Sequence, residues 1–463
     1  MGNSFPLIKP KIAPPLDEGF RPAVLADHAF QSRAVGIGVP LVIGLERESG
    51  KISRFETSVF PEEHPSASSN FYYVERLVKF LLWQRGGFRV FIGGPRSIGE
   101  QIQKAYSDGG SRSFDYHFMG DQVYERLFEV RVCHPGDVPP TNETGAAFGR
   151  HLEGQRIGFD LGASDRKVSA VVDGRVIFSE EKIWNPSIQS DPSYHYNEIM
   201  DSLKTAASKL ERVQAIGGSS AGIYINNRPM VASLFRGIPA ERFPDIRDLF
   251  RRIAAEFKVP LAVINDGDVA ALAGSMSLED TGVLGIALGS SEAAGYVDGD
   301  GHILGWLNEL SFAPVDYSPA ASIDEWSGDI GCGSTYFSQQ CVFRLAPKAG
   351  IALPADISNA EKLAFMQDKL QSGHEGAQLI WQTMGVYLGY GIAHYADFYD
   401  LKHVMILGRC TSGRGGIVML GQIKRVLECE FAHLAGRVNI QLPDEKSRRI
   451  GQAVAAASLP SLG

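Results

Sequence analysis

Two stretches of this chain share one design: a buried strand ends at a tight corner of small residues, and the chain returns as a hairpin. The first is RIGFDLGASDRKVSAVVDGRVIF, residues 156–178, and the second is VLGIALGSSEAAGYVDGDGHILG, residues 283–305. A third strand, HVMIL, also ends in a glycine-rich corner, GRCTSGRGG, before a helix. Small residues let backbone N–H groups approach a phosphate. A carboxylate such as Asp160, just before the first corner, can hold the water shell of Mg²⁺. A plain β-hairpin with Asp-Gly turns fits the first stretch equally well. Three glycine corners at strand ends, with acids at a fourth in VINDGDVAALAG (residues 263–274), share one explanation: a nucleotide in the cleft between two α/β lobes. Helix capping alone also accounts for Asp266 or Asp268 at that fourth corner.

From Arg156 onward strands and helices alternate almost to the end, the pattern of an α/β fold. The first 135 residues read as a separate α/β extension. LVIGLERESGKISRFETSV is two strands around a Ser-Gly turn, YYVERLVKFLLWQ spaces its apolar residues as a helix does, and RVFIGGPRSIGEQI is strand, turn, helix. A Pro-, Gly- and Thr-rich linker occupies residues 136–155. The expected domains are 1–135, then a first lobe over 156–275 and a second over 276–444, with 445–463 packing back on the first lobe.

Length and charge narrow the function. A chain of 463 residues has room for two or three domains, and its net charge of −8 argues against binding nucleic acid through phosphate contacts. Residues 1–150 hold 17 Lys or Arg and 17 Asp or Glu, so no basic DNA-binding module stands at the start. Five scattered cysteines point to a reducing compartment. No apolar run approaches the ~18 residues of a membrane span, and cytoplasm is the default location.

The order of these motifs resembles the ROK group (repressors, open reading frames and sugar kinases) of the actin-like ATPase and hexokinase superfamily, over about residues 156–460. DLGAS is similar to that family's first phosphate loop, implying nucleotide and Mg²⁺ contacts from Asp160, Gly162 and Ser164, the metal being held through water. AIGGSSAGIYINN resembles the segment around its Pro-Gly turn, implying Gly222 at the sugar. The corner at 263–274 is similar to its catalytic Asn-Asp pair, implying Asp266 as the base that takes a sugar hydroxyl's proton, with Asn265 orienting the sugar. Gly289 and Ser290 match the second phosphate loop, Glu309 a sugar-contacting Glu, and Gly408, Gly413 and Gly415 the adenosine loop. The resemblance implies a two-lobed actin-like (ribonuclease H-like) fold and ATP- and Mg²⁺-dependent phosphorylation of a sugar or sugar derivative. A catalytically idle sugar-binding sensor on the same fold is the alternative. It leaves a homo-oligomer, such as a dimer, open.

The departures bear on the chemistry. The family's zinc loop offers a His and three Cys, but here Phe312, Glu325 and Ser327 occupy three of those positions and Cys332 alone remains, so no zinc site is expected. Ser334 stands where a second sugar-contacting Glu belongs. Asp165 replaces the first loop's usual Lys, and Arg166 or Lys167 could compensate for its charge. DEWSGD, with Asp324, Glu325, Trp326 and Asp329, reads as a sugar-binding patch or as a solvated acidic loop. WNPSIQSDPSYHYNE reads as a Pro-punctuated loop packing on a neighbouring lobe.

Overall fold

The computed structural model describes residues 5–143, 149–443 and 445–462, and of 445–450 the backbone only. Part of the linker, residues 144–148, and the side chains that open the last helix therefore lie outside the described residues. The chain forms two compact units. One comprises residues 1–144, 286–293 and 306–442, and the other 145–285, 294–305 and 443–463.

In the second of these, β5 (Gln155–Leu161), β6 (Asp165–Val172), β7 (Arg175–Ile183), β8 (Ala215–Ser220) and β11 (Leu261–Asn265) form one sheet in the order β11-β8-β5-β6-β7. Strands β11, β8 and β5 are parallel, and β6 and β7 are antiparallel additions. A short ribbon of β9 (Ile223–Ile225) and β10 (Arg228–Val231) follows β8. The period of two in β5 decides which side is core: Ile157, Phe159 and Leu161 pack into a cluster with the helices Pro192–Ala207 and Leu249–Phe257. The other face receives the last helix, Glu445–Ala457, at close range. A Cβ at Gly217 would collide with the Ala456 carbonyl.

The first unit holds a sheet of β1 (Val39–Glu46), β2 (Ile52–Val59), β3 (Arg89–Gly93) and β4 (Glu129–Cys133) in the order β2-β1-β3-β4. β1 is antiparallel to both neighbours, and β4 runs parallel to β3. The two strands around Ser-Gly, the helix and the strand–turn–helix read from the sequence are all present. Residues 286–293 span the end of β12 (Val283–Leu288) and the start of β13 (Glu292–Val297), which order as β13-β12-β14-β15 with β14 (His403–Leu407) and β15 (Asn439–Gln441). The helix Asn70–Arg85 buries every residue from Tyr73 to Arg85, its charged ones included. That is no ordinary amphipathic helix, and each buried charge needs a partner. Among the described residues no helix is long and apolar enough to cross a membrane.

Candidate active site

Because β5, β8 and β11 are parallel and in register, their carboxyl ends lie at one edge. Asp160 stands opposite Ser219, and Asn265 opposite Ser220. The helix Asp266–Leu278 begins there, and its first residues divide the labour that their crowding in the sequence left ambiguous. Asn265 is the cap: its Oδ1 accepts from the Gly267 amide at 2.7 Å while its Nδ2 donates to the Gly222 carbonyl at 2.8 Å. Asp268 is buried and accepts from the Tyr296 amide on β13. Gly267 permits this close approach, since a Cβ there would collide with the Ala294 carbonyl.

Asp266 has no comparable structural task. Among the described residues its carboxylate accepts from no side chain, and it takes a 3.1 Å bond from the adjacent Gly267 amide. Burial raises its pKa to about 6, and the nearby charge of Asp160 adds to the rise. Asp160 is also raised, by burial first and then by Asp165. A 2.8 Å bond from Ser219 Oγ and the Lys167 ammonium at 3.7 Å oppose the shift. Lys167 is also 2.8 Å from Asp165, so it is the cation that answers Asp165. Arg166 does not: its guanidinium is buried and turned onto Glu198 and Ser202.

The first small-residue turn is braced by a residue the sequence placed elsewhere. Trp184 donates its Nε1–H to the Gly162 carbonyl and its amide to that of Ser164. Its segment is not the continuous loop expected from the sequence. Asp191 caps a helix that opens at Pro192, and Trp184 and His195 pack in the core of their own unit. Ser219, Lys167 and Trp184 join the site only through strand register and a tertiary hydrogen bond, so no local pattern marks them.

In the other unit, Gly289 donates its amide to the Ser291 carbonyl, and Ser291 Oγ meets Ser311 Oγ at 2.6 Å. Ser290 is exposed. Gly408 follows β14, Gly413 precedes the helix Arg414–Glu430 with φ +61°, and Gly415 lies in its first turn under Trp381. Glu309 is partly exposed, and its amide donates to the Trp83 carbonyl at 2.9 Å.

Glu292, which with Ser290 and Ser291 replaces the Thr-Gly pattern of the family's second phosphate loop, is a group to which the sequence assigned no role. It is buried, Tyr395 donates to its Oε1 at 3.0 Å, and its Oε2 has no hydrogen-bond partner among the described residues. Burial, opposed by the Tyr395 bond and aided by the charge of Glu309, pushes its pKa up to about 8. A folded-state pKa above the unfolded value gives stability that is complete below the unfolded pKa and lost as pH rises to the folded one. Thermal stability of the protein should therefore decline toward pH 8 relative to Glu292→Gln, with the two close at pH 5 and the variant ahead at pH 9. Parallel melting curves from pH 5 to 9 check this; a constant difference would rule it out.

The loop that resembles a zinc site has a different interior. Phe312 packs on Trp83 and Trp326, Glu325 is exposed, and the buried Cys332 thiol lies 3.8 Å from Asp329. Of the other acids of DEWSGD, Asp324 and Asp329 are buried and not solvated. Asp324 accepts from Ser327 and Ser334, and Asp329 receives Arg76 at 3.1 Å, Lys79 at 3.4 Å and Arg112 at 2.8 Å. Burial works to raise the pKa of Asp329, but Arg76 and Lys79 outweigh it. Lys79 and Arg112 also pair with Asp115 and Glu75, so three cations meet three carboxylates inside one unit.

No protein-family model and no curated protein matches the sequence. Solved structures do. The ROK hexokinase from Thermus thermophilus superposes with a TM-score of 0.50 at 17% identity, over 65% of this chain and 97% of its own. A ROK-family transcriptional regulator, a homologue of the E. coli MLC protein, superposes with a TM-score of 0.50 at 19% identity, over 66% of this chain and 79% of its own. One is an enzyme and the other a regulator, and what they share with this chain is architecture. The chain has the actin-like ATPase fold of the ROK proteins.

Proposed function

We propose that this chain is a ROK-type sugar kinase that transfers a phosphoryl group from ATP to a hydroxyl of a sugar or sugar derivative, with Asp266 as general base. The observation that carries the reading is the division of roles at the 265–268 corner. Asn265 and Asp268 are spent on structure, while Asp266 keeps a carboxylate of pKa about 6, mostly ionised yet more basic than an ordinary one at neutral pH. Asp160 and Asp266 form an under-neutralised pair of acids, which suits a Mg²⁺ held by Asp160 through water. That ion would neutralise charge on the transferring phosphate. Asn265 and Gly222 would orient the sugar, as would Glu309. Gly162 and Ser164, Gly289 and Ser290, and the corner at Gly408, Gly413 and Gly415 would line the nucleotide.

One observation favours a second reading. Lys167 already pairs with Asp165 beside Asp160, which suits a protein that binds sugar without turning over nucleotide. A melting-temperature screen of glucose, mannose, N-acetylglucosamine and N-acetylmannosamine, with and without Mg-ATP, followed by measurement of ADP release, separates the two. Stabilisation plus sugar-dependent ADP supports the kinase. Stabilisation without ADP supports the sensor, and no stabilisation by any sugar ends both.

A further inference from the structure

The N-terminal region has no role in the reading so far, yet its long helix ends against the segment that carries Glu309. A helix leaves its last carbonyls without intrahelical partners. At the end of Asn70–Arg85 two of them are satisfied by amides far away in sequence: Gln84 O accepts from Asn308 at 2.8 Å and Trp83 O from Glu309 at 2.9 Å. Asn308 holds a left-handed backbone, φ +50°, and its Oδ1 accepts from Tyr399 at 2.9 Å. A non-glycine residue in that region persists where its surroundings over-determine it. They do so here. The Arg85 guanidinium lies over the Trp306 ring, 4.9 Å from its centroid, and Gln84 Nε2 donates to the Phe398 carbonyl. The helix is itself immobilised, since Trp83 Nε1 donates to Asp115 at 2.6 Å and Lys79 donates to the same carboxylate at 2.9 Å.

We propose that the last turn of the helix Asn70–Arg85 is a clamp that positions Glu309, so that the N-terminal region sets how tightly this protein holds its sugar. The inference rests on Glu309 being a sugar contact, as proposed above. Glu309 contacts sugar in ground and transition states alike, so a loosened clamp weakens sugar binding and leaves the chemical step intact. The region is then part of the substrate-binding machinery, not an appended module.

Two conservative variants test it. Tyr399→Phe removes one hydroxyl from Asn308, and Trp83→Phe removes the indole N–H that Asp115 holds while keeping an aromatic ring. In both, hydrogen exchange at the amides of Asn308 and Glu309 should quicken by about tenfold, with the helix Arg414–Glu430 as an unchanged internal control. With the sugar from the melting screen that stabilises the wild type most, KM for sugar should rise about tenfold while kcat and KM for ATP stay within about twofold. Unchanged exchange at Asn308 and Glu309 would overturn the clamp, as would a rise in both KM values that merely follows lost thermal stability. If Trp83→Phe fails to fold, Tyr399→Phe carries the test. If no sugar binds the wild type, the kinase reading falls, and exchange at the two amides decides the clamp alone.

Discussion

Asp266→Asn should lower sugar-dependent ADP formation by at least about 10²-fold, the lower end of what a general base contributes, while leaving the fold intact. It should also make the protein more stable above pH 6. Burial and Asp160 hold the folded-state pKa at about 6, above the ordinary aspartate value of 3.8. A raised carboxylate pKa gives stability that is complete below the unfolded value and lost as pH climbs through the folded one. The wild type at pH 8 therefore carries an under-compensated charge that the amide does not. Near pH 4 the acid is largely protonated when folded, and the two proteins should melt close together. Wild-type turnover should fall as pH drops through 6, because the base is then protonated. Steady-state rates and melting curves from pH 4.5 to 8.5 for both proteins check all of this. An active variant would remove Asp266 from catalysis, and a variant less stable at pH 8 would show a structural role that the 3.1 Å bond to Gly267 does not suggest.

Lys79→Met should be the most damaging substitution for stability, at about 3–5 kcal/mol, the cost of removing one member of a buried ion pair. Lys79 is fully buried between Asp115 and Asp329. Without it Asp329 still has Arg76 and Arg112, but Asp115 keeps only the Trp83 indole among its described partners. Replacing both charges, as in Lys79→Met with Asp115→Leu, should cost clearly less than the two single changes summed, because neither partner is left buried and unpaired. Urea unfolding of the two single variants and the double variant closes the cycle. Simple additivity would show that the pair is not coupled as its 2.9 Å separation implies.

The helix Asn70–Arg85 shows where sequence reading stops. Its spacing marks a helix, and a helix it is. That Glu75, Arg76 and Lys79 would be buried is not written in that spacing, because the partners that make their burial tolerable lie largely at Arg112, Asp115 and Asp329. Arg166 and Lys167 make the same point at closer range. Adjacent residues on a strand point to opposite faces. One of them therefore meets Asp160 and Asp165, while the other is spent on Glu198.

What the sequence determined by itself was what depends on period and on small residues. Alternating strands and helices, with corners of Gly and Ser at strand ends, suffice for an α/β fold, since backbone geometry and apolar periodicity are local properties; its actin-like form was implied by the resemblance that the order of those corners carries. Only the tertiary structure decided which of the side chains of Asn265, Asp266 and Asp268 is not spent on capping or strand contacts. It alone showed that Glu292 lacks a partner for one oxygen among the described residues, and that the end of an N-terminal helix holds Asn308 and Glu309. Each depends on which groups from distant parts of the chain come within hydrogen-bonding distance and how far water is excluded from them. Those two quantities set the state of a buried carboxylate, and neither exists until the chain has folded.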